Sequence, residues 1–205
     1  MRNWKNRLLS ALMIAGATFA FGQGTASQGQ HSQHSGPVAE TKEQKDQAGA
    51  LLETVRKATA GFKDVAQAEK AKYSLVFGCV SGSDTGAMGM HFLNSDLLNQ
   101  VNKTGVFDPS QPQILLYEPN PDGSLRLTGA DFIVFADDWN KNHPDGPPQL
   151  MGQLFHLFDA PNRFGLPAFY TLHVWAWKDN PNGAFVNWHP KVSCEAFAGS
   201  ATTSR

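Results

Sequence analysis

Several histidines and two carboxylates lie inside apolar stretches of the chain and are its best candidates for chemistry. They are His91, His156, His173 and His189, with Glu118 and Asp131. Imidazole nitrogens suit Zn, Cu, Fe and Ni, and metal sites often combine such nitrogens with a carboxylate oxygen. Alternate residues of a β-strand point to the same face, so separate strands can bring these ligands together. The pattern is therefore compatible with a divalent-metal or small-ligand site.

The two carboxylates have different surroundings in the sequence. Asp131 lies in "LTGADFIVF", where only Gly129 could mark a turn. A buried carboxylate must be paired or hydrogen-bonded, and a histidine or a metal ion is a natural partner. Glu118 in "ILLYEP" precedes Pro119 at a strand end, so we expect a solvated carboxylate at a turn. Glu118 is thus the substitute for Asp131 in a ligand set.

The stretch "LHVWAWKDNPNG" leaves two interpretations of His173 open. Strand alternation predicts one face shared by Thr171, His173, Trp175 and Trp177. A turn at 180–183 would then close a hairpin in which His173 lies near Trp188. His173 is either a neutral imidazole packed among indoles or a metal ligand or acid–base group. Trp175 and Trp177 likewise either belong to the core or form a ligand-binding surface.

The amino terminus predicts export. Arg2, Lys5 and Arg7 precede an apolar run over 8–21, and small residues follow. This pattern is typical of a secretory signal peptide, here over 1–22, and the run is too short for the roughly 20 residues of a membrane span. A Gly/Ser/Gln-rich disordered linker over 23–39, a single domain over 40–197 and a flexible tail over 198–205 are predicted to follow. We expect a periplasmic or secreted protein with no stable membrane insertion.

Cysteine content and charge narrow the possible partners. In an exported chain, Cys79 and Cys194 favour one disulfide bond, since no CxxC spacing supports the rival interpretation as a metal site. Removing the three basic residues of the leader lowers the formal charge from −1 to −4. Nucleic acid is therefore not an expected partner. The familiar GxSxG, Walker, HExxH and GxGxxG motifs do not occur, which excludes the easily recognised hydrolases, nucleotide-binding proteins and zincins.

Residue patterning predicts an α+β fold in which N-terminal helices pack on a curved, mostly antiparallel β-sheet. Thr41 and Gln44 can form a capping box, and Leu51, Leu52 and Val55 mark the apolar stripe of a first helix. A second short helix is predicted over 64–71. After Tyr73 the chain changes to short apolar runs separated by turns, which is typical of strands.

Five segments together carry a resemblance: "GAMGMHFLN", "LLYEP", "GADFIVF", "GQLFH" and "LHVWAWKDNPNGAFVNWHPKVSC". From about residue 58 to 194 the chain resembles a family of uncharacterised exported bacterial proteins. The resemblance implies no particular activity or cofactor. It implies that a carboxylate is kept at Asp131, where the family usually has Glu. It also implies that His189, where the family usually has Asn, is not an essential ligand.

The predicted metal ligands are therefore His91, His156, His173 and Asp131. Three functions remain open. The first is an exported domain that binds a metal ion or small molecule at these residues. The second is a metal-dependent enzyme that keeps a coordination position open for water or oxygen. The third is a structural or interaction module whose histidines and tryptophans only pack the core.

Overall fold

A computed structural model of the chain describes residues 40–82, 84–199 and 202–203. The predicted signal peptide and linker lie outside these residues. Helix α1 spans Lys42–Thr59 and begins with the predicted capping box, in which Thr41 and Gln44 exchange hydrogen bonds of 2.8 and 3.2 Å. A 3₁₀ turn over Ala60–Lys63 and helix α2 over Val65–Lys70 follow. Both predicted N-terminal helices are therefore present.

Most of the remaining chain forms strands. These are β1 Ser74–Gly82, β2 Gly86–Leu93, β3 Ile114–Pro119, β4 Leu125–Phe135, β5 Gln149–Leu150, β6 Gln153–Leu154, β7 His156–Phe158, β8 Phe169–Val174 and β9 Thr202–Thr203. The main sheet has the order β7-β8-β4-β3-β2-β1-β9. Its first six strands are antiparallel and curl strongly, whereas β9, in the segment predicted as a tail, pairs in parallel with β1. The predicted α+β class is confirmed.

The two faces of this sheet have different covers. On the helix-side face, Leu51 and Val55 of α1 pack with Ala130, Phe132 and Leu172. The opposite face, which we call the site-side face, buries other residues of the same strands. Its apolar members include Ile114, Leu116, Ile133, Phe169 and Trp175, and Val192 from the carboxyl-terminal segment packs against them. The site-side face also carries the candidate ligands.

Two further helices interrupt the region that the sequence pattern predicts as β. Helix α3 spans Ser95–Thr104, and helix α4 spans Ala136–Asn142. The side chain of Asn94 caps α3 by accepting the amide protons of Asp96 and Leu97, and Gly105 ends the helix at a φ of 65°. The cap and the glycine are both recognisable in the sequence, so this helix could have been predicted from local signals.

The predicted disulfide joins Cys79 on β1 to Cys194 near the carboxyl end, across a sequence separation of 115 residues. Closing a loop of that length stabilises the fold by about 4–5 kcal/mol in the chain-entropy model. The bond is of the type expected in an extracytoplasmic protein. Among the helices of the described residues, none combines the length and apolar character that crossing a bilayer requires.

Candidate metal site

Three central strands of the sheet position a group of ligands formed by His91, Asp131 and His173. Asp131 on β4 lies directly opposite His173 on β8. His91 lies on β2, on the other side of β3, and the curl of the sheet brings its ring towards the pair. One ligand atom from each residue lies within 4.8 Å of the others, and all three side chains are buried.

His91 is held in one tautomer by the backbone. Its Nδ1 lies 3.2 Å from the carbonyl oxygen of Gly89, which can only accept, so Nδ1 carries the proton. Burial, reinforced by the neighbouring His173, lowers the pKa of His91 to about 4, although Asp131 acts in the opposite direction. His91 is therefore neutral near pH 7. Its Nε2 keeps a lone pair, and the Nδ1 contact with a carbonyl is the usual outer support of a metal-bound histidine.

Asp131 is a carboxylate without a permanently charged cationic partner among the residues that the structure describes. Its side chain accepts a 2.5 Å hydrogen bond from the hydroxyl of Thr171, the residue opposite Ile133 on the neighbouring strand. Burial raises the pKa of Asp131 to about 6, although the hydrogen bond from Thr171 and the proximity of His91 lower it. The Thr171 contact was not predicted from the sequence, because alternation places Thr171 beside His173 but does not reveal which strand pairs with β8.

His173 has the least satisfied side chain of the group. It is 2% exposed, and neither ring nitrogen has a hydrogen-bond partner among the described residues. Its Nδ1 lies 3.7 Å from Oδ1 of Asp131, beyond hydrogen-bond distance. Asn187 lies close enough to favour protonation, but its Oδ1 is also buried without a partner. Burial, with a smaller contribution from His156, lowers the pKa of His173 to about 3.

A small cavity of about 20 Å³ lies beside the three residues. Apart from the ligands and Thr171, its walls are apolar and come from the sheet and from the connection between β7 and β8. They include Phe77, Ile114, Ile133, Phe158, Phe164 and Phe169. A volume of this size holds one or two water-sized groups, since a single water needs roughly 10–15 Å³ by the same measure.

Comparison with other proteins adds no identity to this geometry. No family model, curated protein or solved structure matches the chain significantly. A functional assignment therefore depends on the chemistry of the residues themselves.

His156 and Glu118, also predicted as site residues, lie outside the three-residue group. His156 is exposed on β7 at the edge of the six antiparallel strands. Glu118 was expected to be solvated, but it is buried at the end of β3 and accepts hydrogen bonds from three groups. Lys178 Nζ approaches its two oxygens at 2.7 and 2.9 Å, Arg126 forms a second ion pair, and the amide of Ser193 donates at 3.1 Å.

The predicted shared face of Trp175 and Trp177 is wrong. The regular strand ends at Val174, and the two indoles then point to opposite sides of the sheet. Trp175 is 1% exposed and donates to the carbonyl of Val186 at 2.7 Å. Trp177 donates to the hydroxyl of Thr59 at 2.9 Å, with the Lys63 amine 3.9 Å above its ring. Both indoles have packing and hydrogen-bonding roles.

The predicted return strand of the hairpin is likewise absent. Residues 184–188 contain no regular strand, and the amide of Trp175, the residue after β8, donates to Ala184 O at 2.9 Å. His189 continues this segment. It bridges to Ala87 and places its ring against Trp175, with ring centroids 4.8 Å apart. Its Nδ1 accepts the amide proton of Lys191 at 3.0 Å, which accounts for one of its ring nitrogens.

Proposed function

We propose that this protein is an extracytoplasmic domain that binds one divalent transition-metal ion through His91, Asp131 and His173. The unsatisfied His173 ring, buried beside Asp131 and His91, is the observation that carries the proposal. An unpaired buried polar group costs about 1–3 kcal/mol. A metal ion would satisfy the lone pair of His173 and compensate the buried charge of Asp131 with a single ligand.

The distances among the ligand atoms fit one ion if one side chain moves by about an ångström. Nitrogen and oxygen ligands bind Zn²⁺ at about 2.0–2.2 Å in a tetrahedral arrangement, so two ligands of one ion lie about 3.3–3.6 Å apart. The 3.7 Å between His173 Nδ1 and Asp131 Oδ1 is close to that separation. The full spread of 4.8 Å exceeds it by about 1 Å. We expect one ligand side chain to rearrange by this amount when the metal binds.

The donor set indicates the class of metal. Two imidazoles and one carboxylate suit Zn²⁺, Fe²⁺, Cu²⁺ or Ni²⁺, whereas Ca²⁺ takes six to eight oxygen ligands and Mg²⁺ prefers carboxylates, phosphates and water. Three protein ligands also leave a coordination position open, as in catalytic metal sites. A cavity of about 20 Å³ is too small for an organic substrate. Metal binding is therefore better supported than turnover of a larger molecule.

Elemental analysis of the purified protein after equilibration with Zn²⁺ and gel filtration tests the proposal. We expect one equivalent of metal in the wild type and less than a tenth of an equivalent in His91→Ala and His173→Ala. His156→Ala is the matched control, because it removes a predicted but exposed imidazole, and we expect it to retain the metal.

Near-UV circular dichroism establishes that each variant is folded. A folded wild-type protein that stays metal-free, with a melting temperature that Zn²⁺ leaves unchanged, would refute the proposal in favour of a structural module. Loss of metal from His156→Ala with retention in His173→Ala would refute the assignment of ligands.

A further inference from the structure

The charge and size of the cavity restrict what can share the metal with the protein. Among the described residues that line it, Asp131 is the only one with an acidic side chain, and a histidine binds a metal ion as the neutral imidazole. A divalent ion bound by these ligands therefore leaves one net positive charge. Apart from Thr171, the other walls are mainly aromatic and aliphatic, so they offer no hydrogen-bonding group to that charge.

Arg163 anchors the β7–β8 connection by donating to Ser81 O at 2.9 Å. Its neighbour Phe164 forms part of the cavity wall. A single negative charge in the open coordination position would neutralise the site, whereas a neutral ligand would leave a net charge in apolar surroundings.

We propose that the open coordination position binds a small inorganic monoanion, with room for one or two water-sized groups, and excludes branched organic acids. This inference rests on the proposed function, because it requires the metal. The size limit follows from the cavity of about 20 Å³, whose walls include Ile133 and Phe164. The single negative charge of the anion follows from the balance between a divalent ion and one carboxylate.

Titration of the Co²⁺-loaded protein tests both parts, since ligand exchange at Co²⁺ changes its visible absorption. We expect sodium azide to shift the spectrum saturably. Acetonitrile, which is similar to azide in length but neutral, should bind at least tenfold more weakly. Acetate, which carries the same charge but is branched, should also bind at least tenfold more weakly.

A pair of variants on β4 separates size from charge. Ile133→Ala enlarges the cavity, and we expect it to strengthen acetate binding at least tenfold. Val134→Ala removes a buried side chain of the same strand on the helix-side face, so it should leave acetate binding unchanged. Phe164→Leu provides a second enlargement, from the connecting segment, in case Ile133→Ala fails to fold.

The outcomes separate failure of the anion site from failure of the metal site. Failure of Co²⁺ itself to bind would overturn both. Stoichiometric Co²⁺ with a spectrum that azide leaves unchanged would overturn the anion site alone. Equal affinities for azide and acetonitrile would refute the charge argument, and equal affinities for azide and acetate in the wild type would refute the size argument.

Discussion

Glu118 and Asp131 are both buried carboxylates on neighbouring strands, yet their partners and the directions of their pKa shifts are opposite. Burial opposes ionisation of Glu118, but hydrogen bonds from Lys178, Arg126 and Ser193 outweigh it and lower its pKa. Asp131 has a threonine hydroxyl and two neutral imidazoles around it, and its pKa is raised to about 6. In the part of the chain that the structure describes, Glu118 has two cationic partners and Asp131 has none.

This difference separates a carboxylate that holds the fold together from one available to a ligand. The contacts of Glu118 join β3 to the carboxyl-terminal segment through Lys178 and Ser193, so its charge is already compensated in the folded chain. Asp131 lacks an ammonium or guanidinium partner among the described residues, and its nearest basic groups have free lone pairs instead of charges. An external cation is the partner that would complete such a group.

The largest expected effect is on metal affinity in Asp131→Asn. This change keeps the shape of the side chain and removes its charge, so we expect Zn²⁺ to bind at least 100-fold more weakly, equivalent to about 2.7 kcal/mol or more. Competition with a chromogenic chelator measures the affinity. The metal-free variant should unfold at the same urea concentration as the wild type, or at a higher one, because no internal cation loses a partner.

Glu118→Gln should have the opposite effects, lowering the stability of the fold and leaving Zn²⁺ affinity unchanged. It leaves Lys178 and Arg126 without their carboxylate, and breaking a largely buried ion pair costs about 2 kcal/mol when one partner remains half-exposed, as Arg126 is. Urea unfolding of the metal-free protein measures this loss, and chelator competition should show unchanged Zn²⁺ affinity. If Asp131→Asn destabilised the metal-free fold more than Glu118→Gln, the contrast between the two carboxylates would be wrong.

Lowering the pH should remove the contribution of Glu118 to the stability of the fold. Its pKa in the folded state lies below the ordinary 4.5, so its ionised form stabilises the fold above that pH, and the contribution disappears as the pH falls through the folded pKa. The difference in unfolding free energy between wild type and Glu118→Gln should be constant from pH 6 to 8 and shrink below about pH 4.5. A difference that grew on acidification would contradict the assigned direction of the pKa shift.

A smaller effect is expected from Thr171→Val, which keeps the shape of the side chain but removes the hydroxyl that orients Asp131. Loss of such an outer contact typically weakens metal binding 10- to 100-fold, and we expect about tenfold here, or about 1.4 kcal/mol, because Asp131 keeps its charge. Calorimetric titration with Zn²⁺ measures the change. Thr128→Val on β4, whose hydroxyl donates to Leu116 O, is the control and should leave the affinity unaltered.

The sequence predicts much of the ligand group because strand alternation is local. Asp131 stands out as a carboxylate without a turn to explain it, and His91 and His173 fall in apolar strands. What the pattern cannot provide is strand pairing. His156 lies on a strand predicted from the same kind of apolar run, but that strand is at the edge of the six and leaves the imidazole exposed. The face of Trp177 was mispredicted because alternation was continued past Val174, where the strand ends.

The fold was predictable at the level of its class, for a related reason. The capping box at Thr41 and the change of texture at Tyr73 are local signals, and both correspond to real boundaries. The solvation of Glu118 was predicted from Pro119 alone. In the structure, Lys178 and Ser193 contact Glu118 from segments far along the chain. Long-range contacts of this kind produce no periodic pattern in the sequence.

The three candidate ligands lie on paired strands, whereas part of the cavity wall belongs to the connection between β7 and β8, through Phe164 and Leu166. Hydrogen-bonded strands tolerate few changes of backbone, but connecting segments accept substitutions and insertions readily. Under the proposed function, related chains could therefore change what reaches the site by altering this connection while the candidate ligands stay in place. Selectivity could then evolve separately from metal binding.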